Sequence, residues 1–286
     1  MSADAEFDKI VETVVVALPR IKEGFAGGRV YGDDENPSGQ KLLAADERAD
    51  EILHDALTEL DGVGEYASEE RADKVDCGSG VSVAVDPLDG SSNLVTNNLA
   101  GVIFGVYDAP LPCAGTELVG AGYAVFGPLT TVVVADGENV TEYVVEEDED
   151  GNGERADARE LSLPEPTVYG FGGGVENWTD GFVKFAYEVE RELKLRYGGS
   201  MVGDVNQVMH KGGIFSYPAL KERPDGKLRL LFEGAPMGYV VKTAGGASSD
   251  GEKSLLEREP DGIHDRTPVH VGNESLIERL EASLPS

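Results

Sequence analysis

The chain has 286 residues, of which 40 % are apolar, enough to bury a core in one large domain or two modest ones. Its 54 acidic residues against 24 basic ones leave a formal net charge of −30, which excludes nucleic acid and argues against anionic membranes as partners. The excess is spread along the chain rather than gathered in a tail, so compactness should depend on screening ions, as in a protein adapted to a high-salt cytoplasm.

The start, Met1-Ser2-Ala3-Asp4-Ala5-Glu6, is acidic and has no apolar core of a secretory leader. No apolar run approaches membrane-spanning length, and Cys77 and Cys113 form no CxxC pair. The expectation is a cytoplasmic protein with inert thiols. Phe7, Ile10, Val11, Val14, Leu18 and Ile21 recur at helical spacing, predicting an amphipathic helix over about residues 5–23 that Pro19 kinks or ends. A glycine-rich loop over 27–39 follows, then a second helix over about 40–60 with Asp46 and Asp50 one turn apart. One of these two carboxylates is a candidate to point at a site. In Tyr66-Ala67-Ser68-Glu69-Glu70 an extended backbone sends the two glutamates opposite ways, so one can bind metal while the other does different work.

The most informative stretch comes next. Val81 to Val85 alternates as a strand, and Pro87 in Asp86-Pro87-Leu88-Asp89-Gly90-Ser91-Ser92-Asn93 prevents its regular continuation. Two carboxylates three residues apart then sit on a turn. Hard divalent cations such as Mg²⁺ take oxygen ligands, commonly carboxylates plus substrate phosphate. Gly90 allows close backbone approach, and Ser91, Ser92 and Asn93 suit a helix N-terminus, which favours anions. A cation site beside an anion site suits phosphate-ester hydrolysis.

Gly101–Tyr107, Leu118–Phe126 and Thr130–Ala135 read as a strand meander, so the first half is helices followed by a mostly antiparallel sheet. Asp148 to Gly153 imitates the start of a calcium loop, but Arg159 stands where the bidentate glutamate is required, and Asn152-Gly153 reads as a turn. The pattern then changes, placing a domain boundary near residue 160. The second half alternates strand and helix: a strand over 167–171, the Gly172-Gly173-Gly174 loop, a helix through Phe182 to Leu193, and a helix over 202–211. Val175 occupies the last glycine position of a GxGxxG, so a dinucleotide site is not expected. Ile214–Pro218 and Lys227–Glu233 read as strands, the second ending in a carboxylate just before a helical run containing Gly238 to Val241. His210 lies within a helix and fits no catalytic pattern. The fold class is α/β (α+β), divided into 1–160 and 161–286.

Taken together, Ser68-Glu69-Glu70, Asp86 to Asn93, Arg196 to Met201 with Asp204, Gly212 to Phe215 with Tyr217-Pro218, Lys227 to Glu233 and Ala244-Gly245-Gly246 resemble class I fructose-1,6-bisphosphatases, within the sugar and inositol phosphatase superfamily. The resemblance runs from about residue 40 to 275. It implies a layered αβαβα fold and hydrolysis of the 1-phosphate of fructose 1,6-bisphosphate with Mg²⁺, or Mn²⁺ as an alternative. It implies metal binding by Glu69, Asp86, the Leu88 carbonyl, Asp89 and Glu233, and a water-orienting pair, Asp46 and Glu70. Gly90, Ser91 and Ser92 would cradle the scissile phosphate, and Arg196, Tyr197, Tyr217 and Lys227 the distal one, with Met201 against the sugar. In that family the arginine reaches a neighbouring subunit's site, implying a homo-oligomer, typically a tetramer or otherwise a dimer. The first domain would then carry the metals and scissile phosphate, the second the sugar and distal phosphate.

Two departures stand out. Gly172 and Val175 replace an Asn and a Tyr that contact the distal phosphate, with Asn177 a candidate substitute, and the shortened N-terminal segment argues against AMP inhibition. Carboxylates this crowded should be disordered or protonated without cations. The competing readings are a sugar or inositol monophosphatase, a sedoheptulose-1,7-bisphosphatase, and an acidic cation-binding protein without turnover.

Overall fold

A computed structural model describes residues 3–35, 37, 39 and 41–284. Helix α1, Ala3–Glu23, and helix α2, Ala44–Thr58, lie together over one face of a large sheet. Between them β1, Tyr31–Glu35, pairs antiparallel with β2, Lys41–Leu43, where the sequence reading had a loop and the start of a helix. The sheet is built from β3, Val63–Ser68, β4, Val75–Asp76, β5, Val81–Asp89, and β6, Ala100–Tyr107. It continues through β7, Leu118–Phe126, β8, Thr130–Ala135, β9, Val140–Glu147, and β10, Gly153–Leu161. Its order is β10-β9-β8-β7-β6-β5-β3-β4, antiparallel except for the β3–β5 pair. A single helical turn, α3, Asn93–Thr96, leads from β5 to β6.

The second half gives β11, Val168–Phe171, α4, Asp180–Val189, β12, Lys194–Leu195, α5, Met201–Lys211, and β13, Gly213–Tyr217. After β14, Leu228–Arg229, come α6, Ala235–Thr243, β15, Ala247–Ser249, β16, Arg266–Thr267, β17, Val269–Gly272, and α7, Glu274–Ser283. Strands β12-β11-β13-β17-β15 form a five-stranded sheet.

Three apolar clusters define the layering. One joins Ile10, Leu18 and Leu53 of α1 and α2 to Val83, Val85 and Phe104 of the large sheet. A second joins that sheet's other face, through Ala84 and Ile103, to Val202 and Val205 of α5, Val240 of α6 and Phe215 of β13. The third sets Ile214 and Phe171 of the small sheet against Phe182 and Phe185 of α4 and Ile277 of α7. Ile214 and Phe215, adjacent on one strand, bury into different clusters, as period-two alternation requires. The result is helix, sheet, helix, sheet, helix: the five layers expected.

Four local expectations are corrected. Helix α1 does not end at Pro19 but runs on to Glu23. The carbonyl that Pro19 cannot bond is Val15 O, and β10 packs against it so closely that a Cβ on Gly153 would lie 2.1 Å away. Strand β5 runs on to Asp89 where a turn was expected, although, as expected at Pro87, not regularly. The β3 ladder has ended at Ser68↔Val85, and the β6 register shifts between Asp86 and Asp89, so no regular ladder bond is needed there. Glu69 and Glu70 sit on a turn after β3, not on an extended segment, because the Arg71 amide closes back onto the Ser68 carbonyl at 3.2 Å. Finally, the strand begun at Leu228 stops at Arg229, and Leu230–Gly234 forms a wide helical turn that runs directly into α6.

Candidate active site

Three chain segments converge beside the C-terminal end of β5. The first is the turn after β3. The Glu69 amide bonds to the Val85 carbonyl at 3.0 Å, and the Ser68 hydroxyl bonds to Asp50 Oδ1 at 2.6 Å. Asp50 also pairs with Arg71 at 2.8 Å, so it fastens this turn to α2 rather than entering the site. The second is β5 itself. Asp86 Oδ1 accepts the Leu88 amide at 3.0 Å, and Asp89 Oδ2 accepts the Val202 amide at 2.8 Å. Gly90 then turns with φ +73°, and a Cβ there would strike the Ser200 side chain at 2.2 Å. Asn93 ties this turn to the next loop, donating to the carbonyls of Leu99 at 2.8 Å and Gly198 at 3.0 Å. The third is the helical turn carrying Glu233, whose Oε2 accepts the Arg229 amide at 2.5 Å. That turn is what swings the Glu233 carboxylate back toward Glu69.

Glu69, Asp86 and Glu233 each offer an oxygen within 4.8 Å of the others. Asp86 and Glu233 are buried, and burial followed by the charge of Glu69 pushes both well above the ordinary carboxylate range. Asp89, beside them, is raised to about 7 by burial, against the pull of the Val202 and Met201 amides. Asp46, 3 % exposed, is raised to about 6 by burial. Its Oδ2 accepts the Leu43 amide at 2.7 Å, and the neighbouring Ser91 hydroxyl pulls its pKa back down. A compact, oxygen-only set of carboxylates that are costly to ionise without a counter-charge fits a hard divalent cation.

These groups open onto a cleft of about 450 Å³. Glu69, Glu70, Asp86, Leu88, Asp89 and Glu233 line it, with Gly90, Ser91 and Ser92. Tyr197, Met201, Tyr217 and Lys227 line it too. The Lys227 ammonium stands 5.4 Å from the Tyr217 ring centroid. Asp204 holds the loop that presents Tyr197, accepting the amides of Gly198 and Gly199, and its own pKa is raised to about 6 by burial. Two expected residues are not on the cleft wall. Asp46 lies beneath it, beside Ser91. Arg196 turns away and donates to the Leu195 carbonyl at 2.9 Å. Gly172, Val175 and Asn177 do not line the cleft either. Gly172 instead backs onto the Tyr217 ring, where a Cβ would come within 2.3 Å of the ring edge.

The sequence reading missed Tyr31 and Lys41, brought to the cleft by the β1–β2 hairpin, and Arg229. Arg229 is 2 % exposed and approaches Glu69 at 3.5 Å. Its strand neighbours Leu228 and Leu230 are apolar, so alternation alone marked position 229 as polar but not as buried. His210 does not line the cleft; its Nε2 lies 2.9 Å from Glu142 Oε1.

Five alternating layers with a buried carboxylate cluster at a strand end define a sugar-phosphatase type of enzyme. Family models described as the N-terminal and C-terminal domains of fructose-1-6-bisphosphatase match residues 28–152 and 163–285. The chain is 55 % identical to "Fructose-1,6-bisphosphatase class 1" of Natronomonas pharaonis, over 99 % of this chain and 100 % of that one. It is 50 % identical to "Fructose-1,6-bisphosphatase class 1 1" of Haloarcula marismortui, over 99 % and 96 %. A crystal structure of Leishmania major fructose-1,6-bisphosphatase in holo form superposes with a TM-score of 0.89 at 27 % identity, covering 97 % of this chain and 94 % of that one. The chain belongs to the class 1 fructose-1,6-bisphosphatase family.

Proposed function

We propose that this protein hydrolyses the 1-phosphate of fructose 1,6-bisphosphate, giving fructose 6-phosphate and phosphate, with Mg²⁺, or Mn²⁺ in its place. The observation that carries the reading is the set of three carboxylate oxygens within 4.8 Å of one another, two of them on buried side chains. Glu69, Asp86 and Glu233 would hold cation, with Asp89 and the Leu88 carbonyl completing the ligands. When bound, the cation supplies the positive charge that offsets the phosphoryl oxygens during transfer.

The chain's own groups do the rest. The turn at Gly90, Ser91 and Ser92 presents backbone and hydroxyl donors to the scissile phosphate. Glu70 and Asp46 orient the attacking water, and a carboxylate here accepts its proton. Ser91 links the two jobs, because its hydroxyl adjoins Asp46 while the residue lines the cleft. Lys227, with the hydroxyls of Tyr197 and Tyr217, holds the distal phosphate, and Met201 packs against the sugar.

The 1–160 half supplies most of the metal and scissile-phosphate groups in this reading, and the 161–286 half the sugar and distal-phosphate groups, with Glu233 crossing between them. The protein acts in the cytoplasm as a homo-oligomer, a tetramer by family analogy. Arg196 sits beside the edge strand β12, next to Leu195 at 56 % and Tyr197 at 45 % exposure. A second copy covering that edge would receive Arg196 into its own cleft.

Lys227→Ala tests the bisphosphate assignment. A lost charged hydrogen bond of about 1.5–3 kcal/mol lowers kcat/KM for fructose 1,6-bisphosphate by roughly 10- to 100-fold. Slow hydrolysis of fructose 1-phosphate should be almost unchanged. Equal losses on both substrates would favour the monophosphatase reading.

A further inference from the structure

Strands β14 and β16 are two residues each, and their register sets Arg229 directly opposite Arg266. Like charges facing each other across an antiparallel pair are unfavourable by themselves. This occurs in a chain with more than two acidic residues for each basic one, where carboxylate partners are abundant. Yet Arg266 forms no ion pair within 4 Å among the described residues, and Arg223, also close to Arg266, forms none. Arg229 is almost wholly buried, and its Nε and Nη2 make no hydrogen bond. Its closest charged neighbour is Glu69, at 3.5 Å, one of the three clustered carboxylates. Arg266 senses Glu69 and Glu233 of that same cluster. The loop before β14 is pressed onto β16, since a Cβ on Gly226 would meet the Thr267 carbonyl carbon at 2.2 Å, so the two arginines cannot drift apart.

A buried guanidinium whose Nη1 meets only the Lys227 carbonyl, and whose one carboxylate within 4 Å among the described residues is not hydrogen-bonded to it, is costly unless nearby charge compensates it. Here the compensation is the carboxylate cluster, which Arg229 meets through Glu69. Glu69 therefore has two suitors: the guanidinium and any cation that enters the cluster.

We infer that Arg266, acting through its cross-strand neighbour Arg229, sets the cation affinity of the Glu69–Asp86–Glu233 cluster and holds that cluster together when no cation is bound. The inference rests on reading the cluster as a metal site. Arg266 is a positioning residue, touching neither substrate nor cation. Its fixed charge weakens cation binding by repulsion and stabilises the empty carboxylates by attraction. A site so balanced loads and releases Mg²⁺ without local unfolding.

The test is Mg²⁺ titration calorimetry and thermal melting of chelator-stripped protein at constant molar KCl, comparing wild type with Arg266→Gln and Arg266→Lys. Arg266→Gln should bind Mg²⁺ on the order of tenfold more tightly, since one repelling unit charge is gone. Its metal-free form should melt below wild type, and Mg²⁺ should raise its melting temperature by more. Arg266→Lys keeps the charge and should match wild type in both measurements. A Gln variant with Mg²⁺ affinity equal to or weaker than wild type, or with an unchanged metal-free melting temperature, overturns the inference. If the Gln variant does not fold, the Lys variant decides alone: wild-type affinity supports the role of charge, and altered affinity refutes it. Wild type that takes up no Mg²⁺ would instead refute the metal-site reading, while the metal-free melts would still judge what Arg266 does for the cluster.

Discussion

Asp89 at the end of β5 accepts the amide of Val202, in the first turn of α5 and 113 residues later, at 2.8 Å. One carboxylate thus joins the two halves of the molecule and stands beside the acidic cluster. Its two duties separate by mutation. Asp89→Asn keeps an oxygen for the Val202 amide, so it should melt near wild type while phosphate release falls to background. Asp89→Ala loses both, with a further destabilisation of about 1–3 kcal/mol for the buried amide left unpaired. Denaturant unfolding beside a phosphate assay checks both, and an active Asp89→Asn enzyme at saturating Mg²⁺ would contradict the assignment.

Glu70→Gln and Asp46→Asn should bind Mg²⁺ nearly normally yet lose roughly 10²- to 10⁴-fold in kcat, the usual worth of a proton-handling group. Asp46 carries a pKa raised to about 6 by burial. A carboxylate that must be ionised to act then gives a rate that climbs as pH rises through about 6. In Asp46→Asn that acid limb should disappear from the pH–kcat profile. An identical limb in the variant assigns it to another group.

His270 predicts an acid-stability limb. It is 1 % exposed on β17, flanked in register by Ser216 and Ser249, and its Nδ1 has no hydrogen-bond partner. Burial lowers its pKa from 6.5 to about 3, with Asp250 opposing. Between those values the unfolded chain binds a proton that the folded chain refuses. Stability is therefore present above the unfolded pKa and lost as pH falls, by about 1.4 kcal/mol per unit over that window. His270→Gln should flatten this slope relative to wild type in urea melts from pH 7 down to pH 4. Parallel slopes would refute it.

The charge of −30 predicts salt dependence. As KCl falls from molar to tens of millimolar, the Debye length grows from roughly 3 Å towards 30 Å. Circular dichroism should show lost structure, or sedimentation should show dissociation. Unchanged signals by both methods would mean that the surface charge is not limiting.

Much of this architecture is legible in sequence because periodicity and turn chemistry are local. The meander from Ala100 to Ala135 and the helix at Met201 were plain for that reason. The carboxylates at 69, 70, 86, 89 and 233 were legible as candidates from their strings, and their roles through the family resemblance. What escaped were effects of distant partners. Pro19 sits inside α1 with the Val15 carbonyl packed against Gly153 of β10, and Pro87 falls where the β3 pairing has ended and the β6 register shifts. Glu233 reaches the cluster through a helical turn that local propensity did not reveal. Arg229, Tyr31 and Lys41 reach the cleft only once β14 meets β16 and β1 meets β2. Arg196 is recognisable by its string and does not line its own cleft; only the family resemblance, not the residues themselves, implied that it serves a neighbouring subunit.

The most direct measurement is phosphate release from fructose 1,6-bisphosphate by the purified protein in molar KCl, with Mg²⁺ and after chelation. It should be run beside fructose 1-phosphate and inositol 1-phosphate. The account predicts turnover that requires the cation and a strong preference for the bisphosphate. Turnover that survives chelation, or equal or faster hydrolysis of the monophosphates, would contradict it.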